Sequence, residues 1–423
     1  MAEKIKVGVL GAHRGLSMIG YCRQSDNAEL VAVCDKAPYE LDRVRRELDG
    51  LPISYYDNFE DFIRHDMDAV VLANYANEHA PFAIRAMNEG KHVFSEVLPV
   101  QTLRQAVELV ETVEKTGLVY AYGENYCYMA APMEMRKLYR EGRIGEFEYG
   151  EGEYVHNCES IWPEITYGEP DHWRNNMFST FYCTHSLGPI IHITGLRPVS
   201  VTGFEPRDNR RRFRTGARCG EFGLEMVTME NGAVVKSIHG DLYKNNISYV
   251  VYGSKGRMES ARHDTENGSH DRIFVNADEY DGEYPEHERI ESYLPAEKYK
   301  DMTGGFGHGG SDFWSMYWFI ERIKGDENAD TIDVYEALDM CLPGIFAYRS
   351  ILAGGAPMAI PDLRDKTERD KWRNDIKCTD PNVASGDDLL PTAKGGTPDI
   401  PQEIYDNMRE KWEKILAKRS GNK

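Results

Sequence analysis

The sequence predicts an α/β protein: first a doubly wound parallel sheet, then a second α/β domain with an open, mostly antiparallel sheet. Two observations carry that prediction. From Lys4 to about Gly123, short β-branched runs alternate with amphipathic stretches, the texture of strands buried on both faces and joined by crossover helices. Beyond Pro132, strand-like segments follow one another without intervening helices, as in antiparallel sheets.

The elements follow in order. Parallel strands are expected at 5–10, 30–34, 69–73, 93–94 and 118–121. Residues 102–115 set Leu103, Ala106, Val107, Val110 and Val113 on one face, which predicts a crossover helix. A helix at 133–140 opens the second part, and strands follow at 146–156, 224–229, 233–239 and 249–252. Helices at 312–324 and 334–352 are expected to cover one face of the second sheet. The tail beyond Pro361 is rich in Pro, Gly and Asp to about Pro401, then aligns Ile404, Met408, Trp412, Ile415 and Leu416 in an amphipathic segment. The expected domain limits are 1–125, 126–363 and 364–423.

A length of 423 residues suits two domains better than one. Fifty Lys and Arg against 70 Asp and Glu leave a net charge of −20. That balance disfavours nucleic acid and anionic membranes, whose binding rests on phosphate neutralisation. No apolar run approaches the ~18 residues of a membrane span. The eight cysteines form no C-x-x-C pair, so neither a disulfide framework nor a thiolate zinc site is signalled. The N-terminus runs directly into an apolar strand, and the expected compartment is the cytoplasm. The histidines show no H-x-x-x-H or H-x-H spacing, and no metal is expected.

The first strand runs into Gly8-Val9-Leu10-Gly11-Ala12-His13-Arg14-Gly15. Small residues at such a turn let backbone N–H groups approach a pyrophosphate at a helix N-terminus. Asp35 ends the second strand, where a carboxylate accepts the ribose hydroxyls of an adenosine and repels a 2′-phosphate. The expected cofactor is therefore NAD. Gly11, His13, Arg14, Gly15 and Asp35 are its first candidate contacts, followed by Asn74, Asn77 and His79 after the fourth strand and Glu96 after the fifth, because ligands gather at the carboxyl ends of parallel strands.

The glycine turn, Asp35, the turn leading to His79, Gly90-Lys91-His92-Val93 and Glu96 resemble the Gfo/Idh/MocA oxidoreductases, an NAD(P)-dependent family acting on sugars and cyclitols. Two departures stand out. Most members follow the glutamate with a Lys-Pro whose lysine touches nicotinamide and substrate, but here Glu96 precedes Val97. The usual carboxylate four residues before the active-site histidine is replaced by Phe181, ahead of His185. Both departures fit the NAD-dependent α-N-acetylgalactosaminidase branch, which is similar at Glu124-Asn125-Tyr126-Cys127-Tyr128, Glu153-Tyr154-Val155-His156, Tyr182-Cys183-Thr184-His185-Ser186-Leu187-Gly188-Pro189 and Gly307-His308-Gly309-Gly310-Ser311-Asp312.

The resemblance implies a catalytic set of Tyr182, His185 and Tyr128. Tyr182 and His185 move protons, and Tyr128 helps orient the sugar. Glu96, Asn125, His156 and Arg174 are the expected substrate contacts, with Glu96 and Asn125 also near the nicotinamide. The chemistry implied is transient oxidation at C3 of a sugar, loss of the C2 proton, departure of the aglycone from C1, water addition and return of the hydride. Net dehydrogenation of a sugar or cyclitol is the alternative, and a non-catalytic regulator the third reading. A homo-oligomer, dimer or tetramer, is also implied. The basic run Arg207, Arg210, Arg211, Arg212, Arg214 and Arg218 reads as a solvated hairpin, or as a subunit contact or clamp for an anionic group.

Overall fold

The computed structural model describes residues 4–206, 210–266, 268–277, 289–296 and 303–419. They form two compact units, each of three chain segments. The first unit comprises Met1–Lys137, Leu294–Asp339 and Asp362–Asp375, the second Leu138–Tyr293, Met340–Pro361 and Ile376–Lys423.

The first unit contains six strands: β1 (Ile5–Leu10), β2 (Ala28–Cys34), β3 (Ser54–Tyr56), β4 (Ala69–Leu72), β5 (His92–Ser95) and β6 (Tyr120–Tyr122). Their order is β3-β2-β1-β4-β5-β6, all parallel. The chain reverses its strand order between β1 and β4, which opens a crevice at their carboxyl ends. Val7, Val9, Val33, Val71 and Phe94 are buried there, as doubly covered parallel strands require. The expected crossover helix is Leu103–Thr116, capped by Thr102, whose hydroxyl accepts the Gln105 N–H at 3.2 Å.

The interleaving of segments has a packing cause. Helix Ser311–Ile323 buries Phe313, Met316, Phe319 and Ile320 in the same core as Val7 and Val9. Its rings meet Tyr21 at 5.3 Å (Phe313) and Phe94 at 5.7 Å (Phe319). The expectation that this helix covers the second sheet is therefore corrected: its apolar face completes the parallel-sheet core. Asp362–Asp375 joins the same unit through Arg373, which grips Glu111 bidentately at 2.8 and 2.7 Å, and through Arg369 on Glu114.

The second unit is built on nine strands: β7 (Phe147–Val155), β8 (Pro198–Phe204), β9 (Phe222–Met229), β10 (Val234–Gly240), β11 (Asn246–Gly253), β12 (Gly256–Ser260), β13 (Ile273–Asn276), β14 (Glu291–Tyr293) and β15 (Met358–Ala359). Their order is β14-β13-β12-β11-β7-β10-β9-β8-β15, antiparallel except for the central pair β7 and β10. Helix Cys183–Thr194 lies across this sheet at Gly152, where a Cβ would stand 1.8 Å from the Ser186 carbonyl oxygen. Only glycine permits that approach. Cys183 Sγ donates to Met340 O at 3.2 Å and Thr180 Oγ1 to Gly344 O at 2.7 Å, fixing helix Val334–Leu352 beside it.

The tail packs on this same unit. Its terminal helix, Gln402–Arg419, packs Trp412 at a tilt against Tyr167, centroids 5.2 Å apart, and sends the Tyr405 hydroxyl to Gly216 O at 3.0 Å. The basic run is largely internal rather than a solvated hairpin. Arg211 and Arg212 pair with Asp241 at 3.1 and 2.9 Å, Arg212 stacks on Trp162, and Arg214 reaches Glu159 at 3.3 Å. Arg207 and the Arg210 side chain lie outside the described residues. Among the described residues no helix is long and apolar enough to cross a membrane, and no three His, Cys, Asp or Glu gather as a metal site.

Candidate active site

In the first unit, the turn after β1 closes against the end of β4. Gly11 adopts φ +95°, and a Cβ there would lie 2.3 Å from Ala73 O, so the position demands glycine. Asp35 locks the turn from β2: its carboxylate accepts the Ala12 N–H at 2.7 Å and the Ala37 N–H at 2.8 Å. Burial raises its pKa against the pull of those two N–H bonds. Helix Leu16–Gln24 then starts at Gly15 with no side-chain cap and no acid in its first turn. The Leu16 N–H goes to His13 O at 3.5 Å, and the uncapped start of the helix attracts an anion.

His79 is buried, and its Nδ1 lies 2.9 Å from Leu98 O. A carbonyl only accepts, so Nδ1 carries the proton and Nε2, which has no partner, is an acceptor. Burial pushes its pKa down to about 4 and keeps the ring neutral. Asn74 Oδ1 is a second buried acceptor without a partner. Asn77 sits in the same turn, Ala76–Glu78, whereas His13 turns to Glu40, 3.4 Å away.

Arg14 is the hub of the unit. Its guanidinium meets Glu96 at 2.7 Å and Asp312 at 2.9 and 3.0 Å. Asp312 also accepts from Asn125 Nδ2 at 3.0 Å, and its oxygens lie 3.2 and 3.3 Å from His308 Nδ1. Burial alone raises the Asp312 pKa, but His308 and Arg14 outweigh it and hold the carboxylate well below its ordinary range. His308 remains partly exposed beside this buried anion. Tyr128 stands apart: its hydroxyl donates to Asp330 O at 2.6 Å inside the core.

In the second unit, Arg174 Nη1 donates to the Tyr182 hydroxyl at 2.8 Å. Tyr182 stacks on His185, with centroids 5.5 Å apart and planes 16° from parallel. Tyr154 also meets His185, tilted, with centroids 4.6 Å apart, and its hydroxyl lies 3.1 Å from His156 Nδ1. Tyr249 donates to His185 O at 2.7 Å and fixes the helix start. Arg174, Tyr182, His185 and His156 thus gather in one aromatic and basic cluster. Sequence reasoning missed Tyr154, and also Asp312 and His308 as site residues. The motif Gly307 to Asp312 was visible, but nothing local ties Asp312 to Arg14.

Known proteins bear on both halves. Residues 5–124 match an oxidoreductase family with an NAD-binding Rossmann fold, Gfo/Idh/MocA. Residues 217–374 match the glycosyl hydrolase 109 C-terminal domain. The chain thus joins a segment similar to the Gfo/Idh/MocA Rossmann domain to one similar to the glycosyl hydrolase 109 C-terminal domain. It is 27% identical over 404 residues to a glycosyl hydrolase family 109 protein of Solibacter usitatus, covering 87% of this chain and 89% of that one. A Phocaeicola vulgatus protein of the same description is 25% identical over 408 residues, covering 85% of this chain and 84% of that one. Among solved structures, myo-inositol 2-dehydrogenase from Lactobacillus plantarum matches the fold with TM-score 0.64 at 17% identity, covering 85% of this chain and 100% of that one. Levoglucosan dehydrogenase in complex with NADH and L-sorbose matches with TM-score 0.67 at 16% identity and the same coverage.

The protein is an enzyme and its cofactor is NAD. The residues present fit that group. The uncapped helix after Gly11 suits the pyrophosphate, Asp35 the ribose hydroxyls, and the unpartnered Asn74 and His79 acceptors a donor on the ligand.

Proposed function

We propose that this NAD-dependent, sugar-acting enzyme cleaves glycosides without net oxidation. The Arg174–Tyr182–His185 stack carries this reading, in a chain with Val97 and Phe181 where the resembled dehydrogenases place lysine and a carboxylate. The family 109 relatives support it as well.

NAD, held by the helix start after Gly11 and by Asp35, would supply reversible hydride chemistry at C3, and the C2 hydrogen of a sugar is acidic while C3 is a carbonyl. Tyr182 takes the C2 proton, because Arg174 sets positive charge against the oxygen that becomes negative when the phenol is deprotonated. His185, packed against Tyr154 and Tyr182, takes the C3 hydroxyl proton and gives it back. His156, tied to Tyr154, bonds a neighbouring sugar hydroxyl. The aglycone leaves from C1 and takes a proton from water, and water then adds at C1 while Tyr182 returns a proton to C2. Glu96 and Asn125, fixed through Arg14 and Asp312, orient the nicotinamide end and the sugar. Paired carboxylates at glycosidase spacing are not required by this route.

The test is to incubate the purified enzyme with aryl glycosides and free sugars while following NADH absorbance and aglycone release together. Aglycone without accumulating NADH, and solvent deuterium at C2, are expected. NADH build-up without aglycone makes it a net dehydrogenase and overturns the reading. Tyr182→Phe and His185→Ala are each expected to lower kcat by at least ~100-fold while NAD affinity, read by fluorescence, holds.

A further inference from the structure

We propose that His308 sets the enzyme's preference between oxidised and reduced NAD: neutral, it leaves the nicotinamide cation unopposed, and protonated, it favours the reduced, uncharged ring. The inference goes beyond the sugar reaction, since it concerns the cofactor alone, and it lies wholly within the first unit. Asp35, at the end of β2, assigns the adenosine half of the dinucleotide to one side of the crevice between β1 and β4. The nicotinamide half belongs on the other side, with the ends of β5 and β6, which Glu96 and Asn125 follow.

Direct contacts tie His308 to that side. Its Nδ1 lies 3.2 and 3.3 Å from the Asp312 oxygens, and the same carboxylate holds Arg14 at 2.9 and 3.0 Å and Asn125 Nδ2 at 3.0 Å. Arg14 in turn meets Glu96 at 2.7 Å. The loop also presses on the cofactor helix. A Cβ on Gly307 would stand 2.7 Å from Asp312 Oδ2 and 3.3 Å from Ser17 Oγ, in the first turn of Leu16–Gln24, and glycine is what allows so close an approach. His308 itself is held at φ +53°, a left-handed backbone that few side chains adopt, although its ring is 40% exposed and fills no core. A strained backbone under an exposed, anchored ring points to function rather than packing.

Asp312 is an anion and only accepts, so His308 Nδ1 carries the hydrogen. Nε2 is then the atom that gains or loses a proton, as imidazoles do near neutral pH. The groups facing the ring are the Asp312 carboxylate, the Arg14 guanidinium with Glu96 behind it, and the Tyr126 ring from the turn Asn125–Tyr128, centroids 6.1 Å apart. Oxidised nicotinamide is positively charged, and hydride removes that charge. An imidazolium on the same side of the crevice opposes the first form and not the second. A proton on His308 and NADH in the site therefore strengthen each other relative to NAD⁺.

The test equilibrates the NAD-loaded enzyme with equimolar NAD⁺ and NADH at about pH 6 and about pH 8, either side of the imidazole range. Unbound nucleotide is removed and the bound pair is separated by chromatography. The bound ratio of NADH to NAD⁺ is expected to be about threefold to tenfold higher at the lower pH. His308→Asn suits the left-handed backbone and is expected to keep the ratio of the higher pH throughout. His308→Lys, charged at both, is expected to keep that of the lower pH. A wild-type ratio that ignores pH, or a wild-type pH response in either variant, overturns the inference. Calorimetry in buffers of different ionisation enthalpy tests the wild type without any variant: replacing bound NAD⁺ by NADH is expected to take up part of a proton, and no uptake overturns the linkage.

Discussion

Asp312 answers three donors at once, Arg14, Asn125 and His308, from a site with almost no solvent. Asp312→Asn keeps the shape and removes the charge, leaving the Arg14 guanidinium with Glu96 alone. Breaking a buried pair of this kind costs ~3–5 kcal/mol. Urea unfolding is expected to show a loss of that order, together with weaker NAD binding, because Arg14 belongs to the cofactor turn. The buried histidines set the pH response. His79, pushed down to about 4, and His239, to about 3, are protonated in the unfolded chain below its ordinary value of 6.5 but resist protonation when folded. Each contributes stability that is complete above pH 6.5 and is lost as pH falls towards the folded value. Glu225 acts with the opposite sign: burial raises its pKa, so its contribution is present below the ordinary glutamate value of 4.5 and is lost as pH rises. His79→Gln is expected to flatten the rise in urea midpoint between pH 4 and 6.5, removing a slope worth about 3 kcal/mol across that window. Asp35 was legible because its partners lie in the turn its own strand end faces. Asp312 was not, because its partner Arg14 is 298 residues away and no local pattern encodes that distance.

Secondary structure was legible wherever one period dominated. The continuous apolar runs of β1 and β4 and the one-sided face of Leu103–Thr116 announce themselves. β3, three half-buried residues long, has too few to establish any period. Periodicity also says nothing about which strand lies beside which, so the parallel pairing of β7 with β10 inside an antiparallel sheet was unread. That pairing matters because the helix bearing His185 rests on β7 at Gly152. Gly152→Ala is expected to push the Ser186 turn outward, since the new methyl would start 1.8 Å from its carbonyl oxygen. Such overpacking typically costs ~1–3 kcal/mol, and kcat is expected to drop because His185 precedes Ser186. Turnover kinetics beside a thermal melt check this, and a variant with normal kcat would show that the helix start has slack.

At the scale of the whole chain, the surplus of negative charge does not oppose a pyrophosphate, because the amides after Gly11 act within a few ångströms while net charge acts diffusely. Segment order was the least legible feature. Residues 1–125 read as a complete cofactor domain, yet helix Ser311–Ile323 supplies four of the large side chains of that core. A fragment of residues 1–137 is therefore expected to lack a cooperative thermal transition. A sharp melt matching that of the full chain would overturn this.

The same late helix bears on biosynthesis. At ~5–20 residues per second, about 10–40 s separate the emergence of Lys137 and Ile323 from a ribosome. Through that interval the nascent parallel sheet carries its apolar face uncovered, and the contacts that seal it are made only after eight of the nine strands of the second sheet have been synthesised.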